Sequence, residues 1–369
     1  MENKNNSEVR INNIKRVINI LFHQGPMTKQ ELAFKLDISL PTVTVIMKEL
    51  SSRGLITNGE VLKSTGGRKP IRITPVFDAK YSIGIEVSMN EMRIVLVDLG
   101  PKKVAVERYP LGVQNTREYW EHVNTILMDF INRNLAEKEK LLGVGIALQV
   151  PIKEKKVVLS KNMPSNLSID LNMAEACFEL PVVFYSSGKM AAISQIWALN
   201  ECDNFIFLSI GSYMAGAIIH NGQIVGFSDR NGEFGNMLIS NDNKNKKFED
   251  YCTSRAICEK SGLSVKEFFK LLEQDNEECI KIWDEYLDML SVCLHNIHCV
   301  FDWNIVIGGE MSEYIDRYWS EIKSRLDDLT DYNDESSTAY VKISDLGVFG
   351  PAVGAALTQN DRFLNFDYE

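Results

Sequence analysis

A chain of 369 residues, 45% of them hydrophobic and 24% charged, is long enough for two or three domains and has the composition of a soluble globular protein. It has no apolar run long enough for a membrane span or a signal peptide, and its seven Cys form no CxxC pair, so we expect a cytoplasmic protein without a disulfide framework. The net charge of −10 is uneven, because residues 1–80 carry 13 Lys and Arg against 7 Asp and Glu, and the remainder carries 27 against 43. This asymmetry predicts that only the N-terminal region meets a polyanion.

The N-terminal region begins with two predicted helices. Apolar residues recur at helical spacing from Ile11 to Phe22, and the sequence HQGP ends the first helix. Thr28 precedes KQELAFKL and is followed three residues later by Glu31, a capping-box pattern that opens a short second helix. The sequence DIS ends this second helix.

A third helix follows, for which Ser39 is a good N-cap and Pro41 is tolerated in the first turn. Its inward positions are predicted to be Leu40, Val43, Ile46 or Met47, and Leu50. The sequence GLIT, a strand, the loop KSTGGRKP and the strand IRIT then complete a β-hairpin. Three short helices followed by a hairpin predict a winged helix-turn-helix domain over residues 1–78, which we call the head.

The third helix of such a domain normally lies in the DNA major groove. Thr42 and Thr44 can donate hydrogen bonds to phosphate, Lys48 can neutralise one, and Arg68 in the Gly-rich wing suits a narrow minor groove. The candidate DNA-binding residues are Ser39, Thr42, Thr44, Val45, Lys48, Arg68 and Lys69. The alternative is a small helical domain whose outer surface is solvated or contacts other proteins.

Residues 79–369, which we call the body, alternate between strands and helices. The sequence predicts a hairpin over 80–100, a helix over 120–135, strands over 141–151 and 180–187, a helix over 188–200, a strand pair over 204–225, helices near 248–275 and 278–300, a strand over 303–310 and a terminal helix. This order predicts two similar α/β lobes, 79–200 and 201–369, with a terminal helix near 351–360 that packs back on the first lobe.

These stretches resemble the ROK family (repressors, open reading frames, kinases). The matching sequences are GGRKP, SIGIEVSMNEMRIVLVDL, GVGIALQVP, LPVVFYSSGKMAA, IGSYMAGAIIHNGQIVGFSDRNGEFGN, IVIGGEMSE and GPAVGAAL. The resemblance spans nearly the whole chain. It implies an α/β protein with an N-terminal winged helix-turn-helix and a two-lobed sugar-kinase fold of the actin-like, ribonuclease H-like type.

The resemblance also implies that catalysis is lost. Family kinases hold ATP phosphates with Asp-x-Gly-Gly-Thr and Gly-Thr-Gly-Ile-Gly loops, where this chain has EVSMN (86–90) and GSYMA (211–215). Their catalytic base is an Asp in an Asn-Asp pair that aligns with Ser186 and Ser187, and a Ser hydroxyl cannot act as that base near neutral pH. We therefore expect no phosphoryl transfer and no enzyme.

The zinc ligands of the family are also missing. Members commonly carry Glu-x-Gly-His followed by three Cys, whereas this chain has Glu233-Phe234-Gly235-Asn236 and then NDNKNKKFEDYC. The Cys and His of CLHNIHC, residues 293–299, face different sides of one predicted helix and cannot all converge on an ion. Neither zinc nor any other cofactor is expected.

The remaining question for the body is a sugar pocket. In the family the Glu of this loop accepts hydrogen bonds from sugar hydroxyls, and Glu233 matches that position. The candidate effector-binding residues implied by the resemblance are Glu233, Asn162, Ser187 and Asn236. The alternative for Glu233 is that it simply accepts hydrogen bonds from turn amides.

Together these features predict a DNA-binding transcriptional regulator, specifically a repressor of carbohydrate-related genes that binds a palindromic operator as a homodimer or tetramer. The body would serve dimerisation and sense a sugar or a sugar derivative. Two alternatives stay open: a residual sugar kinase with a regulatory head, and a regulator whose body binds another protein and no small-molecule effector.

Overall fold

The computed structural model describes residues 2–61, 71–153, 155–158, 168–199, 204–225, 231–239, 246–330 and 339–365. The chain divides into two compact units. The first consists of Met1–Ala147, Leu159–Phe184 and Ala355–Glu369, and the second of Leu148–Val158 and Tyr185–Gly354. The domain bounds 1–78, 79–200 and 201–369 stay a prediction.

The described elements follow one another as helices α1–α12 and strands β1–β15. The head contains α1 (Glu2–Gln24), β1 (Met27–Thr28), α2 (Lys29–Leu36), α3 (Leu40–Ser52), β2 (Ile56–Val61) and β3 (Ile71–Pro75). Next come β4 (Tyr81–Val87), β5 (Met92–Val97), β6 (Lys103–Tyr109), α4 (Arg117–Asn134), β7 (Leu141–Leu148), β8 (Ile152–Lys153), β9 (Lys156–Val157), α5 (Leu171–Glu175), β10 (Val182–Ser186) and α6 (Ser187–Leu199). The last are β11 (Phe205–Ile210), β12 (Met214–His220), β13 (Gln223–Ile224), α7 (Ser254–Ser261), α8 (Val265–Leu272), α9 (Glu277–Phe301), β14 (Asn304–Gly308), α10 (Ser312–Arg317), α11 (Trp319–Leu329), β15 (Val341–Ile343) and α12 (Gly350–Leu364).

The head has the three helices and the hairpin strands in the predicted order. β1, β3 and β2 form an antiparallel sheet in that spatial order, with Thr57 opposite Thr74. Buried apolar residues from all three helices form the core: Val17, Ile18, Leu21, Leu32, Val43, Ile46 and Leu50. The prediction that Leu40 points inward is wrong, because this side chain is 43% exposed. The buried face of α3 begins at Val43, so the first turn of the helix projects beyond the core.

The sheet of the first unit has the strand order β10-β7-β4-β5-β6. β4 and β5 form the predicted antiparallel hairpin, in which Ile85 lies opposite Ile94. The terminal helix α12 is tied to this sheet by Asn360. Its side-chain oxygen accepts a hydrogen bond from the Ser82 hydroxyl (2.7 Å), and its side-chain nitrogen donates to the Asp98 carbonyl (2.7 Å).

The sheet of the second unit has the strand order β13-β12-β11-β14-β15, with β11 antiparallel to β12 and parallel to β14. Successive side chains of β11 face opposite sides of the sheet. Ile206 and Leu208 belong to a core completed by α7, α8, α9 and α11, whereas Phe205 and Phe207 pack with α6. Helices therefore cover both faces of this sheet, which is an α/β arrangement.

Residues 248–275 do not form the single predicted helix. A 3-10 turn at Phe248–Asp250 precedes α7, and Gly262, the residue after α7, caps its end in the left-handed conformation with φ of 70°. Ser264 and Glu267 then form a capping box that opens α8. In the sequence, Gly262 predicts the end of one helix, and Ser264-x-x-Glu267 predicts the start of the next. These local signals determine the structure here, although the apolar periodicity continues through them.

Candidate DNA-binding surface and effector site

The helix-turn-helix is held by capping interactions between residues close in sequence. The Thr28 hydroxyl accepts a hydrogen bond from the Glu31 backbone N–H (3.2 Å), and the Thr28 N–H donates to the Glu31 carboxylate (2.7 Å). This backbone hydrogen bond is the main reason why the pKa of Glu31 lies below its usual value. Asp37 ends α2 in the left-handed conformation, with φ of 52°. The predicted capping box is confirmed, and it fixes where α2 begins.

The N-terminus of α3 is capped by Ser39, as predicted. The Ser39 hydroxyl accepts a hydrogen bond from the Thr42 backbone N–H (3.2 Å) and lies 2.8 Å from the Thr42 hydroxyl. The Thr44 hydroxyl donates to the Leu40 carbonyl within the helix (2.9 Å). These polar groups of α3 thus already have partners inside the helix, and the Thr44 proton is not directed outward.

Of the four candidate DNA-binding residues on α3, three have exposed side chains and the fourth, Thr42, is half-buried. Thr44, Val45 and Lys48 are exposed, and Val45 is 58% exposed although it is apolar. Val43, Ile46, Met47 and Leu50 are buried and anchor the opposite face. Arg68 and Lys69, the predicted wing residues, lie outside the described residues, between the ends of β2 and β3.

The loop that carries Glu233 packs tightly against β12. Gly232 adopts a φ of +85°, and a Cβ atom there would lie 2.2 Å from the Gly216 carbonyl oxygen. Only glycine combines that conformation with that approach. The backbone of the loop is therefore fixed one residue before Glu233.

Glu233 belongs to a chain of polar side chains. Its carboxylate accepts a hydrogen bond from the Asn236 side-chain nitrogen (3.0 Å), and the Asn236 side-chain oxygen accepts one from the Lys247 ammonium group (2.6 Å). Lys247 Nζ also lies 3.8 Å from the Glu249 carboxylate. Glu233 makes no side-chain hydrogen bond to the amides that open the short helix Phe234–Asn236. Within the described residues, its partner is therefore a side chain and not a turn amide.

The environment of Glu233 changes the pKa of its carboxyl group. Burial raises the pKa of its carboxyl group, the nearby Glu249 carboxylate adds to the increase, and the hydrogen bond from Asn236 opposes it. Such a carboxyl group is a suitable hydrogen-bond partner for a hydroxylated ligand, because it accepts in one protonation state and donates in the other.

Ser187, another candidate effector contact, is the first residue of α6. It is buried, and its hydroxyl oxygen has no hydrogen-bond partner among the described residues. A Cβ atom on the next residue, Gly188, would lie 3.1 Å from the Ala215 Cβ, so the start of α6 contacts the start of β12. The Glu233 loop contacts the same end of β12 through Gly216. The start of α6 and the Glu233 loop therefore contact neighbouring residues of β12, Ala215 and Gly216, which face opposite sides of the sheet. Asn162 lies outside the described residues.

In the two loops that align with the family's phosphate loops, backbone amides donate hydrogen bonds to groups of the same loop. In the first unit, the Ser88 N–H donates to the Glu91 carbonyl (2.9 Å), and the Glu91 N–H donates to the Ser88 hydroxyl (3.1 Å). In the second unit, the Gly211 N–H donates to the Tyr213 carbonyl (3.0 Å), and the Tyr213 ring lies 5.2 Å from the Arg255 guanidinium. Amides with internal partners cannot form an anion nest.

The Cys and His residues of CLHNIHC do not converge. Cys293 is buried, whereas Cys299 is exposed with its sulfur 3.4 Å from His295 Nε2, and His298 stacks on Tyr340 at 3.6 Å. Across the described ranges, no group of three or more His, Cys, Asp or Glu side chains could hold a metal ion.

Sequence reasoning missed Lys247 and Arg93. Glu86 aligns with the Asp of the family's first phosphate loop. Arg93 is buried and donates a hydrogen bond to the Glu86 carboxylate (2.6 Å), which is also buried. Lys247 is one of several Lys in a polar stretch, and no local pattern distinguishes it. Within the part of the chain that the structure describes, no helix is both long enough and apolar enough to cross a membrane.

Comparison with known proteins agrees with this architecture. Residues 82–362 match the ROK family, and residues 16–58 match the MarR family. The xylose repressor of Bacillus subtilis (strain 168) is 23% identical over 379 residues, covering 96% of each chain. A crystal structure of a ROK family transcriptional regulator, a homologue of the E. coli MLC protein, has a TM-score of 0.74 with 14% identity and covers 97% of this chain and 98% of its own. A Streptomyces griseus ROK family glucokinase in complex with glucose and AMPPNP has a TM-score of 0.62 with 17% identity, covering 75% of this chain and 98% of its own.

The glucokinase shares the fold of the body, and the regulator shares the fold of head and body together. The family match covers well over half of the chain. The predicted winged helix-turn-helix and sugar-kinase-like fold are confirmed. This chain belongs to the ROK family and carries a MarR-type helix-turn-helix ahead of its ROK domain.

Proposed function

We propose that this protein is a transcriptional regulator that binds a DNA operator through its head and represses carbohydrate-related genes. The observation that carries the proposal is the exposed outer face of α3, held on a capped and well-packed helix-turn-helix. The similarity of nearly the whole chain to a protein named as a xylose repressor supports the same function. Because its proposed partner is a DNA operator, we expect the protein to act in the cytoplasm.

In this proposal the N-terminal part of α3 enters the major groove. Ser39, Thr42 and Thr44 approach the phosphate backbone, Val45 faces the base edges, and Lys48 neutralises a phosphate. Arg68 and Lys69 act from the wing. One head offers few contacts, so two bodies in a homodimer or tetramer bring two heads to a palindromic operator.

We further propose that the body has lost phosphoryl transfer. Ser187 occupies the position of the catalytic Asp, and the Ser88, Glu91 and Gly211 amides are engaged within their own loops. An ATP-consumption assay with a panel of hexoses tests this proposal. We expect no hexose-dependent turnover, and turnover that Glu233→Ala abolishes would contradict it.

The body instead senses a sugar or sugar derivative. Glu233, with its raised pKa, contacts ligand hydroxyls, Asn236 orients Glu233, and Ser187 and Asn162 add contacts. The unpartnered Ser187 hydroxyl supports this proposal, because a buried hydroxyl gains a hydrogen bond when a polar ligand binds. A thermal-shift screen tests it. A sugar that raises the Tm of the wild type but not of Glu233→Ala supports sensing. If no sugar in a broad panel changes the Tm, a body that binds another protein is favoured.

Operator binding is tested with duplexes selected from a random DNA library and measured by fluorescence anisotropy over a range of salt concentrations. We expect Lys48→Ala to weaken binding to all selected duplexes. It should also reduce the slope of log K against log salt by about 1 for each lost phosphate contact. Lys342→Ala, an exposed Lys of the body, is the matched control and should leave the slope unchanged. A chain that selects no duplex contradicts the proposal.

A further inference from the structure

The outer face of α3 forms one continuous stripe that is mostly apolar. Leu40, Pro41, Thr44, Val45 and Lys48 follow the i, i+1, i+4, i+5, i+8 spacing that places residues on one side of a helix. All five are exposed, with Leu40 at 43% and Val45 at 58%. Single exposed apolar residues are common on protein surfaces. Leu40 and Val45, however, lie on the surface that is proposed to face DNA, where apolar groups of the bases can contact them.

The polar groups of this stripe offer little direct base readout. The Thr44 hydroxyl donates to the Leu40 carbonyl, and the Ser39 and Thr42 hydroxyls are 2.8 Å apart and serve the cap. The stripe has no Asn, Gln or Arg, the side chains that make bidentate contacts to adenine or guanine, and only Lys48 can reach guanine as a cation. Hydrogen bonding from this stripe therefore offers few contacts that distinguish one base from another.

The major groove offers one apolar feature, the C5-methyl group of thymine. We propose that Leu40 and Val45 read thymine methyl groups, so that each operator half-site carries thymine where the first two turns of α3 enter the groove. This inference rests on the proposed operator binding and adds a specificity mechanism to it. Burial of one methyl-sized group changes an equilibrium constant by about fourfold, so two or three such contacts supply a useful part of the specificity.

Replacement of deoxythymidine by deoxyuridine tests the proposal, because it removes only the methyl group and keeps base pairing. Duplexes selected from a random library define the operator. Each thymine is then replaced singly, and affinity is measured by fluorescence anisotropy with the full chain. We expect two or three positions per half-site at which the replacement weakens binding by about three- to fivefold.

A double-mutant cycle assigns the methyl contact to a side chain. At one or more of these positions, Val45→Ala should bind the thymine duplex no more tightly than the uracil duplex. Leu40→Ala should lose the preference for thymine at a different position. Val104→Ala is the matched control, since Val104 is a 46% exposed Val on β6, and it should keep the full wild-type pattern. Circular dichroism of each variant checks that the exposed substitutions leave the fold intact.

Two results overturn the inference while leaving operator binding in place. One is equal affinity for thymine and uracil at every position of the site. The other is discrimination that survives in both Leu40→Ala and Val45→Ala, which would assign thymine recognition to other residues. Failure to select any duplex would instead refute operator binding itself, and the thymine contacts with it.

Discussion

The head and the Glu233 loop differ in the sequence distance over which their interactions act. In the head, Thr28 pairs with Glu31 and Ser39 with Thr42, each three residues apart. In the loop, Asn236 pairs with Lys247 across eleven residues, and Gly232 approaches Gly216 across sixteen. Short-range chemistry therefore shapes the proposed DNA-binding surface, whereas tertiary contacts shape the proposed effector site. Substitutions in the two regions, and the pH dependence of their stability, test that difference.

The core of the head should be the most sensitive. Leu50 is fully buried on the inner face of α3, so Leu50→Ala should lower the free energy of unfolding by about 3 kcal/mol through lost burial and the remaining cavity. Hydrogen exchange of the head amides measures this change locally, and operator binding should be lost at the same time. The exposed neighbour Val45 is the control, because Val45→Ala should cost less than about 0.5 kcal/mol. Equal hydrogen exchange of the head amides in Leu50→Ala and Val45→Ala would contradict the packing of α3.

The Glu233 loop should tolerate no side chain at Gly232. In Gly232→Ala the new Cβ would lie 2.2 Å from the Gly216 carbonyl oxygen in a left-handed backbone, so we expect a loss of about 2 kcal/mol or more. Urea unfolding followed by tryptophan fluorescence reports this loss, because Trp283 is buried in the same unit.

Gly54→Ala in the head is the matched control for Gly232→Ala. Gly54 also has a positive φ (+71°), but a Cβ atom there meets nothing within 4 Å. Only backbone strain remains, and the expected cost is about 1 kcal/mol, read from hydrogen exchange of the head amides. If both substitutions cost the same, the close approach of Gly216 to Gly232 is not what holds the loop.

Removal of the α3 cap should have an intermediate effect. Ser39→Ala leaves the Thr42 N–H without its acceptor, and about 1 kcal/mol of helix stability should be lost. Hydrogen exchange of the first turn of α3 measures the change, and operator affinity should fall with it. Ser51→Ala, at the exposed end of the same helix, should change neither quantity.

This contrast explains which features could be predicted from the sequence. The caps at Thr28 and Ser39, the strand pair β4–β5 and the ROK fold were predictable, because they depend on local patterns or on motifs that span the chain. Leu40 was predicted wrongly, since periodicity does not reveal where a helix projects beyond its neighbours. The partners Lys247 for Asn236 and Arg93 for Glu86 were missed, because nothing in the local sequence identifies which charged residue the fold brings close.

The pH dependence of stability should have opposite signs in the two regions. The backbone N–H of Thr28 lowers the pKa of Glu31, so Glu31 contributes stability that is present above the usual pKa of Glu and is lost as the pH falls through its folded pKa. Burial raises the pKa of Glu233, so its contribution is present below the usual pKa and is lost as the pH rises through its folded pKa.

The corresponding Gln variants isolate these two contributions, because an amide does not titrate. Glu31→Gln should be less stable than the wild type at neutral pH, and its deficit in hydrogen-exchange protection of the head should shrink as the pH falls below the usual pKa of Glu. Glu233→Gln should gain on the wild type as the pH rises above that value, in urea unfolding followed by tryptophan fluorescence. Parallel trends would mean that Glu233, like Glu31, is stabilised as a carboxylate. It would then accept hydrogen bonds from the hydroxyl groups of a ligand but could not donate one.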